Sequence, residues 1–213
     1  MDGRLARWAP VSGIVFVALW VVAAALTLDS PDTNDSNAKI LAYYGKHSNR
    51  VQHVVAFFLV GVGIIFFLWF LSTLRARLAA LEGGAGRLTA IATTAGVVFV
   101  TLFVLGAVVD FAYVGTISDN SRFNRDPNFI RLLGSLSYYL IILGMFAAAA
   151  LVWATSAAGW RTRAFPKWLV WLGFFIGATC IVGFFGIPIL LFGIWLLVIS
   201  GYLLRPTAAP APV

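Results

Sequence analysis

The chain has 213 residues, of which 61% are hydrophobic and 11% charged, against roughly 25% charged in ordinary soluble domains. So few polar side chains cannot clothe a soluble core of this size, and most of the surface has to face lipid. The net charge is +7, but the basic residues flank apolar runs instead of forming a continuous patch. This excludes nucleic acid as the partner and makes the charge a record of topology. A single cysteine, Cys180, excludes an intrachain disulfide.

Crossing a hydrocarbon core of about 30 Å takes about 20 apolar residues at about 1.5 Å each. Six runs qualify, at about residues 8–28, 52–74, 88–113, 132–155, 168–182 and 187–204. The expected fold is all-α: one transmembrane helical domain over residues 1–205, a polytopic bundle of six crossings, then a disordered Pro/Ala tail over 206–213.

The first run follows Arg4 and Arg7 and ends near Ala23-Ala24-Ala25, but its length exceeds the roughly 7 to 15 residues of a signal core, so it reads as a retained helix. The loop after it opens with Asp29-Ser30-Pro31-Asp32-Thr33-Asn34, and Asp35 and Ser36 then offer caps for a short helix. Ile40, Tyr44, His47 and Val51 recur at helical spacing on one face. That face reads either as a lid over the bundle or as a surface helix bridging to the next crossing. Between the second and third runs, residues 75–87 carry Glu82-Gly83-Gly84-Ala85-Gly86, a flexible turn without the Lys-Ser/Thr of a phosphate loop. Asp126-Pro127 is a strong start signal that begins the fourth helix before the membrane.

From Trp168 to Leu204 there are 37 residues without a charge, too many for one crossing and enough for a hairpin turning at Gly183-Phe184-Phe185-Gly186-Ile187-Pro188. Within it, Gly173 and Gly177 form a small-xxx-small pair suited to close packing inside the bundle. Cys180 lies in the same apolar stretch and is expected to be an unreactive packing residue.

Lys and Arg near the helix ends set orientation. With six crossings, Arg4, Arg7, Arg75, Arg77, Arg87, Arg161, Arg163, Lys167 and Arg205 share one face with Asp2 and Glu82. The remaining six bases and six acids balance on the other, so the whole +7 falls on one side. This predicts N-in, C-in topology as a multi-pass protein of a bacterial-type plasma membrane. Trp8, Trp69, Trp153, Trp160, Trp168 and Trp171 gather toward the basic face, at the level indole prefers. Tyr43, Tyr44, Tyr113, Tyr138 and Tyr139 gather toward the other, either as an interfacial belt or as the lining of an outward pocket.

Residues that carry chemistry are few. His47 and His53 lie six apart with no further ligand nearby, and no HExxH, Cys pair or Gly-x-Ser-x-Gly occurs, so neither metal nor cofactor is expected. Both histidines read as interfacial polar residues. Asp110 is the one acid in or at the edge of an apolar run, Val108-Val109-Asp110-Phe111-Ala112-Tyr113. A carboxylate there is either a plain interfacial residue or a functional one with a partner. Gln52, His53, Arg131, Ser135, Tyr138 and Tyr139 fall at its depth, which outlines a candidate outer-leaflet site. Asp110 is expected to pair with Arg131 or His53.

Ala42-Tyr43-Tyr44, Phe67-Leu68-Trp69-Phe70-Leu71 leading into Leu74-Arg75-Ala76-Arg77-Leu78, Glu82-Gly83-Gly84, and Phe165-Pro166-Lys167-Trp168-Leu169-Val170-Trp171-Leu172-Gly173 together resemble uncharacterised small polytopic membrane proteins of high-GC actinobacteria. The resemblance implies six crossings and carries no activity or functional residue with it.

The scarcity of chemistry favours a non-enzymatic membrane component or accessory subunit, with the bilayer, another membrane protein or a second copy as partner. The alternative is a small secondary transporter or proton-coupled carrier centred on Asp110, although the helices show no broken pair in matching halves. An enzyme ranks last, because no nucleophile–base or metal constellation can be assembled from the sequence.

Overall fold

The computed structural model describes residues 8–83, 86–119, 126–182 and 186–204. The expected disordered tail, the Gly183-Phe184-Phe185 turn, and Arg4, Arg7 and Arg205 lie outside the described residues. Those described are all-helical. The helices are α1 (Val11–Leu26), α2 (Asn37–Gly45), α3 (His47–Glu82), α4 (Arg87–Asp119), α5 (Pro127–Arg161), α6 (Lys167–Ile181) and α7 (Ile187–Leu203).

Six of these match the apolar runs, and α2 is the short helix of the first long loop. α3, α4 and α5 have 36, 33 and 35 residues, and all three are long and apolar enough to cross a membrane. α1, α6 and α7 have 16, 15 and 17 residues, about 23 to 26 Å each and short of a core of about 30 Å. For α1 the turns at Ala9–Pro10 and Thr27–Asp29 lengthen the apolar segment at both ends.

Helix starts follow their capping chemistry. Ser36 accepts a hydrogen bond from the Lys39 amide (3.3 Å) at the head of α2, and Asp126 accepts from the Asn128 amide (2.8 Å) with Pro127 in the first turn of α5. α3 runs on past the expected end of the crossing at Leu74, and residues 75–82 of the connection are helical. Arg-Ala-Arg-Leu-Ala-Ala-Leu-Glu is a string of strong helix formers, and Leu74 and Leu78, one turn apart, are both fully buried. Of the turn expected over Glu82–Gly86, the described glycines Gly83 and Gly86 take φ of 57° and 55°, a region glycine occupies without strain.

Glu82 then closes the corner across that turn. Its Oε1 accepts from the Leu88 amide (3.0 Å), and its Oε2 accepts from the amide (2.6 Å) and hydroxyl (2.5 Å) of Thr89. One carboxylate thus serves the orphan N–H groups at the start of α4, where the helix dipole favours negative charge. Partial burial pushes the Glu82 carboxyl up, but the Thr89 and Leu88 donors outweigh it and hold the group below the usual carboxylate range.

The long helices and the hairpin close into a ring, with contacts running α1 to α3, α4, α5, α6, α7 and back to α1. An aromatic seam fills its middle. Phe16 packs on Phe67 (5.0 Å between ring centroids), Phe67 on Phe99 (5.4 Å), and Phe99 on Phe192 (4.8 Å). On one side Gly173 faces Ser156 and Gly177 faces the Trp153 indole of α5, each so close that a Cβ would collide. The small-xxx-small pair therefore serves α5–α6 packing within the chain. Trp153 leaves the expected aromatic belt, because its Nε1–H donates to the Phe174 carbonyl (3.1 Å) inside this contact. The outward surface is apolar: Phe58, Ile65, Trp69, Leu143, Phe175 and Leu190 are each more than half exposed, which is far more apolar exposure than a water-soluble monomer tolerates.

Candidate polar site beneath helix α2

α2 ends at Gly45, and one extended residue, Lys46 (ψ 129°), separates it from α3. Its last carbonyls are served by the first turn of α3. Asn49 donates to the Tyr43 carbonyl (3.0 Å), and Arg50 donates to those of Tyr44 and Gly45 (2.9 Å each). The corner turns α2 back over the bundle, where Ile40 and Tyr44 bury against Tyr113 and Val114. The expected continuous face therefore stops at Tyr44, and His47 and Val51 are exposed, because the break at Lys46 interrupts helical phase. Arg131 of α5 ties down the loop before α2 by donating to the carbonyls of Thr33 (2.9 Å) and Asp35 (2.8 Å), and it also donates to the Asn128 side chain of its own helix (3.2 Å).

Under this cover sits His53. Its ring is buried, its Nδ1 lies 3.5 Å from Asp110 Oδ2, and its Nε2 lies 3.2 Å from Ser30 Oγ and 3.4 Å from the Tyr43 hydroxyl. Ser30 and Tyr43 are themselves 3.3 Å apart. A carboxylate only accepts, so the arrangement favours the proton on Nδ1 and leaves Nε2 to accept from one of the two hydroxyls. Tyr44 stands over the same ring at 5.6 Å between centroids. Burial first, and then the negative charge of Asp110, push its phenol pKa well above the ordinary value, so it is a neutral wall of the site.

Asp110 is 48% exposed because it borders two cavities. One, of about 90 Å³, lies beneath the loop with Ser30, Tyr44 and Arg131 in its wall. The other, of about 250 Å³, opens between α1, α3, α4 and α5, with His53, Asp110, Thr27 and Ser137 as its polar part and Trp20, Ala56, Phe57, Phe103 and Ala107 as its apolar part.

The sequence-predicted residues therefore divide. His53 and Asp110 meet. Arg131 borders the smaller cavity with Asp110 but spends its guanidinium on the loop carbonyls of Thr33 and Asp35. Gln52 points away and is exposed, and Tyr138 and Tyr139 are exposed as a ring pair (6.2 Å). Ser135 is half-buried outside the larger cavity, whose wall takes Ser137 instead.

Ser30 was not foreseen, because its place depends on the loop path. Tyr43, expected as belt or pocket lining, has its hydroxyl at the His53 ring. His53, expected as an interfacial residue, is interior and hydrogen-bonded. The expectation that no nucleophile and base could be brought together is also overturned, since Ser30, His53 and Asp110 stand in hydroxyl–imidazole–carboxylate order. Among the described residues no three His, Cys, Asp or Glu side chains converge as a metal site would require. No protein-family model, curated protein or solved structure matches the chain.

Proposed function

We propose that the chain is an integral membrane protein of six crossings with both ends cytoplasmic. In this reading it is a non-enzymatic component that binds the polar end of a small amphiphile, such as a lipid head region, at the outer boundary of the membrane. The observation that carries this reading is the mostly apolar cavity with a polar end, which joins His53 and Asp110 to the Trp20, Phe57 and Phe103 wall. At about 250 Å³ it falls below the roughly 300 to 1,000 Å³ of pockets that enclose a whole small molecule. It suits the end of a ligand whose remainder lies in lipid. The apolar belt, the three long apolar helices, the one-sided +7 and the resemblance to small six-helix membrane proteins support the membrane assignment.

The packed Phe16–Phe67–Phe99–Phe192 seam favours a binding component over a carrier, because a carrier would have to open that seam on every cycle. A second reading, acyl transfer at Ser30, draws on the Ser30–His53–Asp110 order. It is weaker, because Pro31 offers no N–H next to the nucleophile for an oxyanion and the Tyr43 hydroxyl shares the imidazole nitrogen. Covalent labelling of Ser30 by a fluorophosphonate would decide in its favour.

The binding reading is tested by native mass spectrometry of protein purified in mild detergent. A bound amphiphile should leave with Ala107→Phe, which fills the cavity, and stay with Val62→Phe on the outer surface. An identical mass profile for both variants sinks it. Topology is tested in a Cys180→Ala background, where Asn34→Cys should label from outside intact cells and Ala80→Cys should not.

A further inference from the structure

At the end of the bundle opposite α2, a groove of about 750 Å³ opens where α5 turns into α6. Its floor is held firmly. Phe165 lies against Gly159 so closely that a Cβ there would collide, its ring meets Tyr202 at 5.3 Å, and the Tyr202 hydroxyl donates to the Ala164 carbonyl (2.6 Å). Above the floor stand Trp160 and Trp171, each about two-thirds exposed and each edge-on to Phe174, at 6.4 and 6.0 Å.

Two cations border this aromatic wall, Arg163 and Lys167. Both are exposed, and neither has a hydrogen-bonding or ionic side-chain partner among the described residues. The one described acid at that end, Glu82, is committed to Leu88 and Thr89. Arg163 also takes φ 54°, in the left-handed region where a helix end ordinarily places glycine. A side chain kept where glycine would be less strained points to a use for that side chain.

We infer that this groove holds an anionic phospholipid, its phosphate between Arg163 and Lys167 and the start of its acyl chain along Trp160, Phe174 and Trp171. Guanidinium and ammonium groups with no neighbouring carboxylate match a headgroup of net negative charge, whereas a zwitterionic headgroup sets a further ammonium beside those two cations with no carboxylate to offset it. Exposed tryptophans at the same level match the boundary between headgroups and chains. The basic, inward-facing side of the membrane is where anionic lipid adds to such attraction. The site rests on the membrane reading given above.

The test is thermal unfolding in detergent during titration with phosphatidylglycerol or phosphatidylcholine. Phosphatidylglycerol should raise the midpoint of the native protein in a saturable way, with phosphatidylcholine at least tenfold weaker and inorganic phosphate without effect. Arg163→Gln with Lys167→Gln should remove that preference. Arg75→Gln with Arg77→Gln, which removes two other cations from the same face, should keep it. Trp171→Ala, at an exposed position, should weaken binding several-fold without abolishing the preference. The inference is overturned if the two lipids act equally, if free phosphate substitutes for the lipid, or if the Arg75/Arg77 variant loses as much as the Arg163/Lys167 variant. A protein that stays monodisperse without detergent and responds to neither lipid overturns the membrane reading itself.

Discussion

The two ends of the bundle treat polar side chains in opposite ways. Beneath α2, His53 is enclosed and shared among Ser30, Tyr43 and Asp110, and the cover over it is tied by Arg131 to loop carbonyls. At the other end Arg163 and Lys167 stand in an aromatic groove with no side-chain partner among the described residues. In a fold with so apolar an exterior, a polar group is either closed in by a folded loop that supplies its hydrogen bonds or left at the boundary for what lies outside. The first arrangement makes local structure depend on each member of a network, and the second makes very little depend on it.

His53→Ala should therefore be the most damaging change among these polar residues. It leaves the Ser30 and Tyr43 hydroxyls with only each other in a partly dry site and opens a void, at a cost of about 2 to 3 kcal/mol by denaturant unfolding in detergent. His53→Gln, which keeps one hydrogen-bonding end, should recover about half. By contrast, Arg163→Gln should leave stability in pure detergent within about 0.5 kcal/mol, and a loss comparable to that of His53→Ala would erase the contrast. Next comes Arg131→Ala, which releases the loop from two charge-assisted hydrogen bonds at a half-buried position and loses a third within α5, for about 1 to 2 kcal/mol. Its sharper signature is local, namely faster proteolysis between residues 29 and 36 with α5 still protected.

A smaller effect sharpens the contrast from the α3–α4 corner. Glu82→Ala removes the acceptor for three donors at the head of α4 and should cost about 1 kcal/mol, as for loss of a helix cap. Because the folded Glu82 carboxyl lies below its ordinary value of 4.5, its contribution is complete above about that pH and fades as pH falls through the depressed folded value. The stability difference between the native protein and Glu82→Gln should then be flat from neutral pH to about 5 and shrink below it. A difference that grows on acidification would contradict the assignment.

Much of this was legible from apolar length alone, since each crossing-length run coincides with a helix. What escaped was governed by other forces. The overrun of α3 to Glu82 follows from propensity and from Leu78 continuing the buried stripe of Leu74, a signal present in the sequence but masked by two arginines. The stop at Lys46 depends on Asn49 and Arg50 reaching back to α2 carbonyls, which no periodicity encodes. In the candidate site, matching depths placed His53 beside Asp110. The same reasoning failed for Arg131, because charge matching takes no account of backbone carbonyls as competing acceptors.

That failure frames the finest test of the comparison, the energetic wiring of Asp110. The carboxylate is half exposed, and asparagine can still accept from the imidazole, so Asp110→Asn alone should cost under about 1 kcal/mol. Its coupling is more informative than its size. If His53 is its partner, Asp110→Asn and His53→Gln should be non-additive by about 0.5 kcal/mol or more. Asp110→Asn and Arg131→Gln should add to within about 0.3 to 0.5 kcal/mol, as for residues without a shared partner. The alternative is equally concrete. Were the guanidinium to swing from the Thr33 and Asp35 carbonyls to the carboxylate across the small cavity they both line, the Arg131 pair would show the larger coupling. Loop proteolysis would then accelerate in Arg131→Gln no more than in Asp110→Asn. Additivity with Arg131 and coupling with His53, measured in the same detergent and at the same salt concentration, would place Asp110 in the enclosed network beneath α2 and keep Arg131 as the strap that holds the cover in place.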